Sequence, residues 1–476
     1  MQLAALAFSA RLSGVTPDNR AENGKTVVMG ADDDTDVTGG LIRSARGVTS
    51  GGLPDDVREV ARHCLLDWFG CALGGVDEPL ARILREQAGA GGGDEATLIG
   101  RPERATVLVA ALVNGATSHA LDFDDTHLTM SGHPSVPVVP AVLALAERDD
   151  RSGTDLLAAV VAGIELECRL GALVNPGHYL AGFHATGTLG TFGAAAAAAH
   201  LLGLDEARWR HALGLAGTQA AGLKSGFGTM AKPLHAGHAA SDGLLSALLA
   251  GAGYTGNPAV IEADQGFAAT HGPGLRPERL ERLDDDWLIR QTLFKYHAAC
   301  YLTHSSIEGA MAVRDELGDP ATVDRVELRV APSSLDVCAI AAPVTGLETK
   351  FSLRATAAMA LLGDDMSDLL TYSDERAVAG DVVAMRDRVE VVPDPTAEGT
   401  RTRVVVSAGG RAYTAEVDVG VPATDLAQQW ERLTAKFRAL ATPVLGADGA
   451  EALLQAVTNV EDASVSDLVA AAVPKG

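Results

Sequence analysis

The sequence predicts a mainly α protein, a large all-helical domain with a smaller α+β lid domain, and three observations carry that expectation. Apolar residues recur at helical spacing through most of the first 285 positions, while alternation with a period of two is confined to a later region. Hydrophobic residues make up 47% of the chain but aromatics only 4%, with 52 glycines, so the interior is built from small side chains that suit closely packed helices. At 476 residues the chain also exceeds the roughly 250–300 residues at which a single core stops growing, so two domains are expected.

Taken in order, residues 1–40 read as a loose tail. Met1–Gly14 holds a short apolar stretch with no basic region ahead of it, and Asp32, Asp33 and Asp34 follow in a polar segment, unlike a signal peptide. Val57, Val60, Ala61, Cys64, Leu65, Trp68 and Phe69 then follow the i, i+3, i+4, i+7 spacing of a helix buried on one face. Pro54 stands near its start and Gly74-Gly75 closes it. The same spacing predicts helices over 105–116, 136–147, 153–173, 189–202, 206–221 and 239–250.

Beyond residue 285 the pattern changes. Val326, Leu328 and Val330 alternate with Glu327 and Arg329, as in a half-exposed strand. Thr402–Val406 and Tyr413–Val419 alternate likewise and are joined through Gly409-Gly410 as a hairpin. Helical spacing returns at Leu426–Leu440 and Ala450–Val457. The expected domains are therefore 41–285 with 424–476, helical, and 286–423, the α+β lid.

The formal net charge of −24 argues against nucleic acid or an anionic membrane as partner, because no basic stripe offsets it. An anionic substrate would need a local group of Lys, Arg and His to reverse that field. Cys64, Cys71, Cys168, Cys300 and Cys338 are odd in number and contain no CxxC pair, which points to a reducing cytoplasm. No apolar run approaches the roughly 20 residues that span a bilayer.

Four segments place ionisable groups among Gly and Pro. The first runs from His119 through Asp122, Asp124, Asp125, Thr126 and His127 to Gly132-His133-Pro134. A helix that ends in three acids and enters a Gly-His-Pro loop makes sense as the wall of a site, although the same acids also serve as solvated groups or as caps of the next helix. The second holds His178 and His184 just before an Ala-rich helix, whose N-terminus favours anions; a histidine there is equally a cap or a packed side chain.

In the third, Lys224 and Lys232 flank a glycine-rich turn, and Pro233 pushes Lys232 toward an extended conformation at a helix start. The spacing is not that of a P-loop, and His235 with His238 lacks a third ligand in register, so no metal is expected. The fourth contains Lys295, His297, Cys300 and His304 at the start of the lid, where ligand clefts are favoured; Cys300 and His304 would also suit the buried face of a helix.

The strings DFDDT, GHP, FHATGTLG and KPLHAG, in that order, resemble the MmgE/PrpD family of 2-methylcitrate dehydratases, cis-aconitate decarboxylases and iminodisuccinate epimerases. The resemblance runs from about Leu41 to the C-terminus. It implies a helical domain with an α+β lid, a homodimer and no cofactor. From the decarboxylase branch it carries over Asp122, Thr126, His133, His184, Lys232 and Lys295 as catalytic positions. Two positions depart from that branch: Cys300 stands where it has a His, and Arg354 of KFSLR where it has a Tyr. Gly177–Gly190 and Phe227–His235 are similar to iminodisuccinate epimerase.

The implied activity is that of a lyase of the 2-methylcitrate dehydratase type, acting on a proton α to a carboxylate of a small di- or tricarboxylic acid with loss of water. Epimerisation, decarboxylation and non-catalytic carboxylate binding are the alternatives. Removing such a proton needs a base and a cationic surround for the charge that develops. His133 or His184 would exchange the proton, Asp122 would orient a histidine and Thr126 would donate to substrate. Lys232, Lys295 and Arg354 would clamp carboxylates, with His178, Lys224, His297 and Cys300 also binding substrate.

Overall fold

The computed structural model describes residues 36–89, 92–279, 286–397 and 399–475. These fall into two compact units, 36–294 with 423–475 and 295–422. The expected tail lies outside the described residues up to position 35. From position 36 the expected tail is instead the start of helix α1 (Val37–Arg46), capped by the Asp36 carboxylate on Gly39 N.

The larger unit continues with α2 (Asp55–Gly75), α3 (Pro79–Gln87), the short pair β1 (Ala96–Thr97) and β2 (Arg104–Ala105), and α4 (Val107–Ser118). Then come α5 (Ser135–Arg148), α6 (Gly153–Val174), α7 (Ala185–Leu201), α8 (Glu206–Gln219) and α9 (Ala231–Gly251). Ser152 and Asp205 cap α6 and α8 through their side-chain oxygens, satisfying N–H groups that the first turn leaves free. Helix α7 is the centre: Ala194 to Ala199 are all fully buried, and α6 and α9 pack against it. Small side chains set these separations. A Cβ on Gly115 would lie 2.9 Å from Gly237 Cα, so α4 and α9 touch backbone to backbone. That contact brings the end of α4 beside the start of α9.

Two boundaries differ from the sequence expectation. Helix α9 begins at Ala231, eight residues before the expected 239, because Pro233 falls in the first turn, where its missing N–H costs nothing. Lys232 is thus helical, not extended. The second difference is at 286–294, expected in the lid but part of the larger unit. Ile289 N donates to Glu165 Oε1 at 2.8 Å, Arg169 donates to the Asp286 carbonyl at 2.7 Å, and Leu293 pairs with Thr126 as an isolated bridge.

The smaller unit carries α10 (Tyr301–Leu317), β3 (Val323–Val330), α11 (Leu353–Leu362), α12 (Gly380–Arg386), β4 (Val389–Pro393), β5 (Thr402–Ala408) and β6 (Arg411–Val417). The sheet order is β4-β3-β5-β6, with β3 and β4 parallel and the other neighbours antiparallel. Val326, Leu328 and Val330 are buried as the alternation predicts, and α10 covers β5 and β6. Gly409 and Gly410 both have positive φ, 53° and 76°, the requirement of a two-residue hairpin turn. Strand β4 was not expected: only its first residue is well buried, so it shows little alternation.

The chain closes with α13 (Leu426–Thr458), broken at Gly446, and α14 (Val465–Ala471), both in the larger unit. Among the described residues no helix is long and apolar enough to cross a membrane. None of the five cysteines is in a disulfide.

Candidate active site

The three acids that follow α4 are assigned to three tasks. His119 caps the end of α4, and a turn with Asp122 at φ 51° leads into the buried Phe123, Asp124 and Asp125. Asp125 caps α5, accepting from Ser135 N at 3.2 Å and Ser135 Oγ at 2.5 Å. Burial first, and then the nearby Asp67, push its carboxyl up to about 8. Asp124 faces two imidazoles: Oδ1 lies 2.8 Å from His119 Nδ1 and Oδ2 lies 2.9 Å from His133 Nδ1. Burial alone would raise the Asp124 carboxyl, but His119 and His133 hold it well below the usual range. Asp122 accepts from the Lys232 ammonium at 2.8 Å and lies 3.6 Å from His133 Nε2.

The carboxylate hydrogen-bonded to a histidine is Asp124, on His119, where the sequence reading gave that part to Asp122. His133 Nδ1 also lies 2.7 Å from the Asp125 carbonyl oxygen. A carbonyl acceptor at Nδ1 requires a proton there, so the neutral ring presents a bare lone pair at Nε2. His133 N in turn donates to Thr186 Oγ1 at 3.1 Å, seating the loop on the N-terminus of α7. Gly132 permits this approach, since a Cβ there would stand 3.0 Å from Thr186 N.

His184 is the residue that caps α7, and its Nδ1 lies 3.0 Å from His235 Nδ1. Burial and then the Lys232 charge hold it well below the usual imidazole range. The His119 ring lies between the two histidines, with centroids 4.6 Å from His133 and 6.0 Å from His184. Lys232 and His235, three residues apart in the first turn of α9, share one helical face. Asp122, His133, His184 and Lys232 are therefore brought together. His119, Asp124 and His235 join them without having been singled out as site residues in the sequence.

Other expected residues are engaged elsewhere. The Thr126 hydroxyl donates to the Gly132 carbonyl at 3.2 Å, so it fastens the loop instead of pointing at a substrate. His178 is a correction: one ring nitrogen bonds the His271 carbonyl and the other Thr188 Oγ1, each at 2.7 Å, and Phe183 stacks on it. Lys224 donates to the Tyr179 carbonyl at 3.0 Å and lies over the Tyr179 ring. Lys295, His297, Cys300 and Arg354 stand in the smaller unit. There His297 pairs with Glu308 at 2.9 Å, Cys300 caps α10 and lies against Cys338, and Arg354 is in the first turn of α11.

His119, Asp122, Asp124 and His133 offer ligand atoms within 4.8 Å of one another, a donor set a divalent ion could use. The Lys232 ammonium already supplies a positive charge at Asp122, while Asp124 Oδ2 and His119 Nε2 have no hydrogen-bond partner among the described residues.

Burial also shapes the pH dependence of stability. His119, His127 and His178 are each lowered to about 4 by burial, so below 6.5 the unfolded chain binds protons that the fold refuses. Asp125 at about 8 works oppositely, since the fold keeps a proton that the unfolded chain releases above 3.8. Stability is lost as pH falls from about 6.5 toward 4, where the histidines outnumber Asp125, and again as pH rises toward 8. Thermal melts across this range are expected to peak near about pH 6.5. A melting temperature still climbing between about pH 6.5 and 8 would contradict a neutral Asp125.

The chain matches the MmgE/PrpD N-terminal domain over residues 41–279 and the MmgE/PrpD C-terminal domain over 297–462. It is 30% identical to a cis-aconitate decarboxylase of Homo sapiens over 447 residues, covering 90% of this chain and 92% of that protein. A cis-aconitate decarboxylase of Mus musculus is 30% identical over 450 residues, 90% and 91% of the two chains. One of Aspergillus terreus is 32% identical over 293 residues, 57% and 59%. The chain belongs to the MmgE/PrpD family and is an enzyme of that family.

Proposed function

We propose that the protein is a cofactor-independent lyase that withdraws a proton α to a carboxylate of a small di- or tricarboxylic acid and expels water, as the 2-methylcitrate dehydratases do. The observation that carries this reading is the His133 ring, whose Nδ1 donates to the Asp125 carbonyl beside the Asp124 carboxylate, so that Nε2 is the basic atom. An α-proton beside a carboxylate is weakly acidic, and its removal needs such a base together with a nearby cation for the developing charge. Lys232 supplies the cation; a substrate carboxylate would share it with Asp122. His133 takes the proton from carbon, and His184 gives one to the departing hydroxide, which leaves as water. A cytoplasmic homodimer belongs to the same proposal.

The names of the relatives favour a second reading, decarboxylation of cis-aconitate, in which the same imidazoles return a proton to carbon as carbon dioxide leaves. Incubation with 2-methylcitrate, citrate and cis-aconitate separates the two. Dehydration is expected to give an unsaturated acid from a hydroxy acid, unaffected by a chelator. Carbon dioxide from cis-aconitate alone would favour the second reading, and loss of activity on chelation would contradict both. Lys232→Ala is expected to raise KM by about 10- to 100-fold, the size of a lost hydrogen bond to a charged group. An unchanged KM for every turned-over acid would remove Lys232 from substrate binding.

A further inference from the structure

His184 is buried, and an acid that gives up a proton there needs a route by which the proton is replaced. His235 stands on that route. Its Nδ1 is 3.0 Å from His184 Nδ1, and the ring lines a cavity of about 350 Å³ together with Gln219, Ser225, His238 and Asp242. The His238 side chain is 58% exposed, so the cavity reaches solvent. Gly226 lies against the far edge of the ring, where a Cβ would come within 3.6 Å of Cε1. Two Nδ1 atoms at 3.0 Å are a hydrogen bond only if one carries a proton and the other a lone pair, so the tautomers of the two rings are fixed reciprocally.

We propose that His235 relays protons between His184 and water in this cavity. The relay rests on the function proposed above and extends it to the path that replaces the proton. As His184 gives its Nε2 proton to the departing hydroxide, its Nδ1 takes the Nδ1 proton of His235, and His235 Nε2 takes a proton from a water molecule. One N–H bond forms and one breaks on each ring, the leaving hydroxide becomes water, the cavity water becomes hydroxide, and both rings end neutral. Burial and the Lys232 charge hold His184 well below the usual imidazole range, so it gives up a proton only as it takes one from His235.

The test compares wild type, His235→Asn and His235→Ala for turnover of a hydroxy acid to its unsaturated product. Asparagine can still hydrogen-bond His184 but cannot pass a proton through itself. Both variants are expected to keep KM within about twofold and to lose about tenfold or more of turnover. Added imidazole is expected to restore His235→Ala in proportion to its concentration, and not to restore His235→Asn, whose side chain fills the position. Undiminished turnover in His235→Asn, with the substrate α-proton still exchanging in deuterated water, would overturn the relay and leave the proposed function standing. A wild type that exchanges no proton from any acid tried would overturn the function, and the relay with it.

Discussion

Replacing His133 with asparagine is expected to lower turnover by about 10²–10⁴-fold, the usual worth of a positioned general base. Asparagine approximates the Nδ1 edge of the ring, so contacts to Asp124 and the Asp125 carbonyl can persist while Nε2 disappears. KM should change little, because Lys232 and the loop seated on Thr186 stay in place. Steady-state kinetics on the best substrate reads this directly. A loss smaller than about tenfold would move the base to His184.

Lys436→Ala is expected to cost about 3–5 kcal/mol of stability, the penalty for breaking a buried ion pair from one side. The Lys436 ammonium is fully buried, 2.5 Å from Asp67 Oδ1, 2.6 Å from the Phe123 carbonyl and over the Phe123 ring. Burial would strip its proton, but the Asp67 carboxylate more than offsets this and raises its affinity for one. Truncation leaves Asp67 as an uncompensated charge between α2 and α13. Phe123 sits between Asp122 and Asp124, so activity should fall with stability. Denaturant unfolding measures the cost; a change below about 1 kcal/mol would mean that Asp67 is neutral in the fold.

The helical unit was legible because one-faced spacing such as Val57 to Phe69 is a long signal, and α2 spans the expected stretch. The β5–β6 hairpin was legible from Gly409-Gly410 between alternating runs. Strand β4 was not, since it lies near the sheet edge with mixed exposure along its length.

At the site, residue types pointed to the right loops but not to the partners within them. Asp122, Asp124 and Asp125 are chemically alike in sequence. Their division into a lysine partner, a histidine partner and a helix cap depends on which way a turn with positive φ at Asp122 aims each side chain. His235 had a usable signal, since it follows Lys232 by three residues; it was hidden because α9 was expected to start at 239. His178 shows the opposite failure: a histidine beside an Ala-rich helix, with both nitrogens spent inside the fold.

Proton NMR in deuterated water with 2-methylcitrate, citrate, cis-aconitate and iminodisuccinate tests the role of His133 most directly. Loss of an α-proton signal from at least one acid is expected, with an unsaturated product, and much slower loss in His133→Asn. Deuterium uptake without net product would point to epimerisation on the same machinery. Turnover of an acid with its α-proton retained throughout would show that His133 does not work by moving that proton.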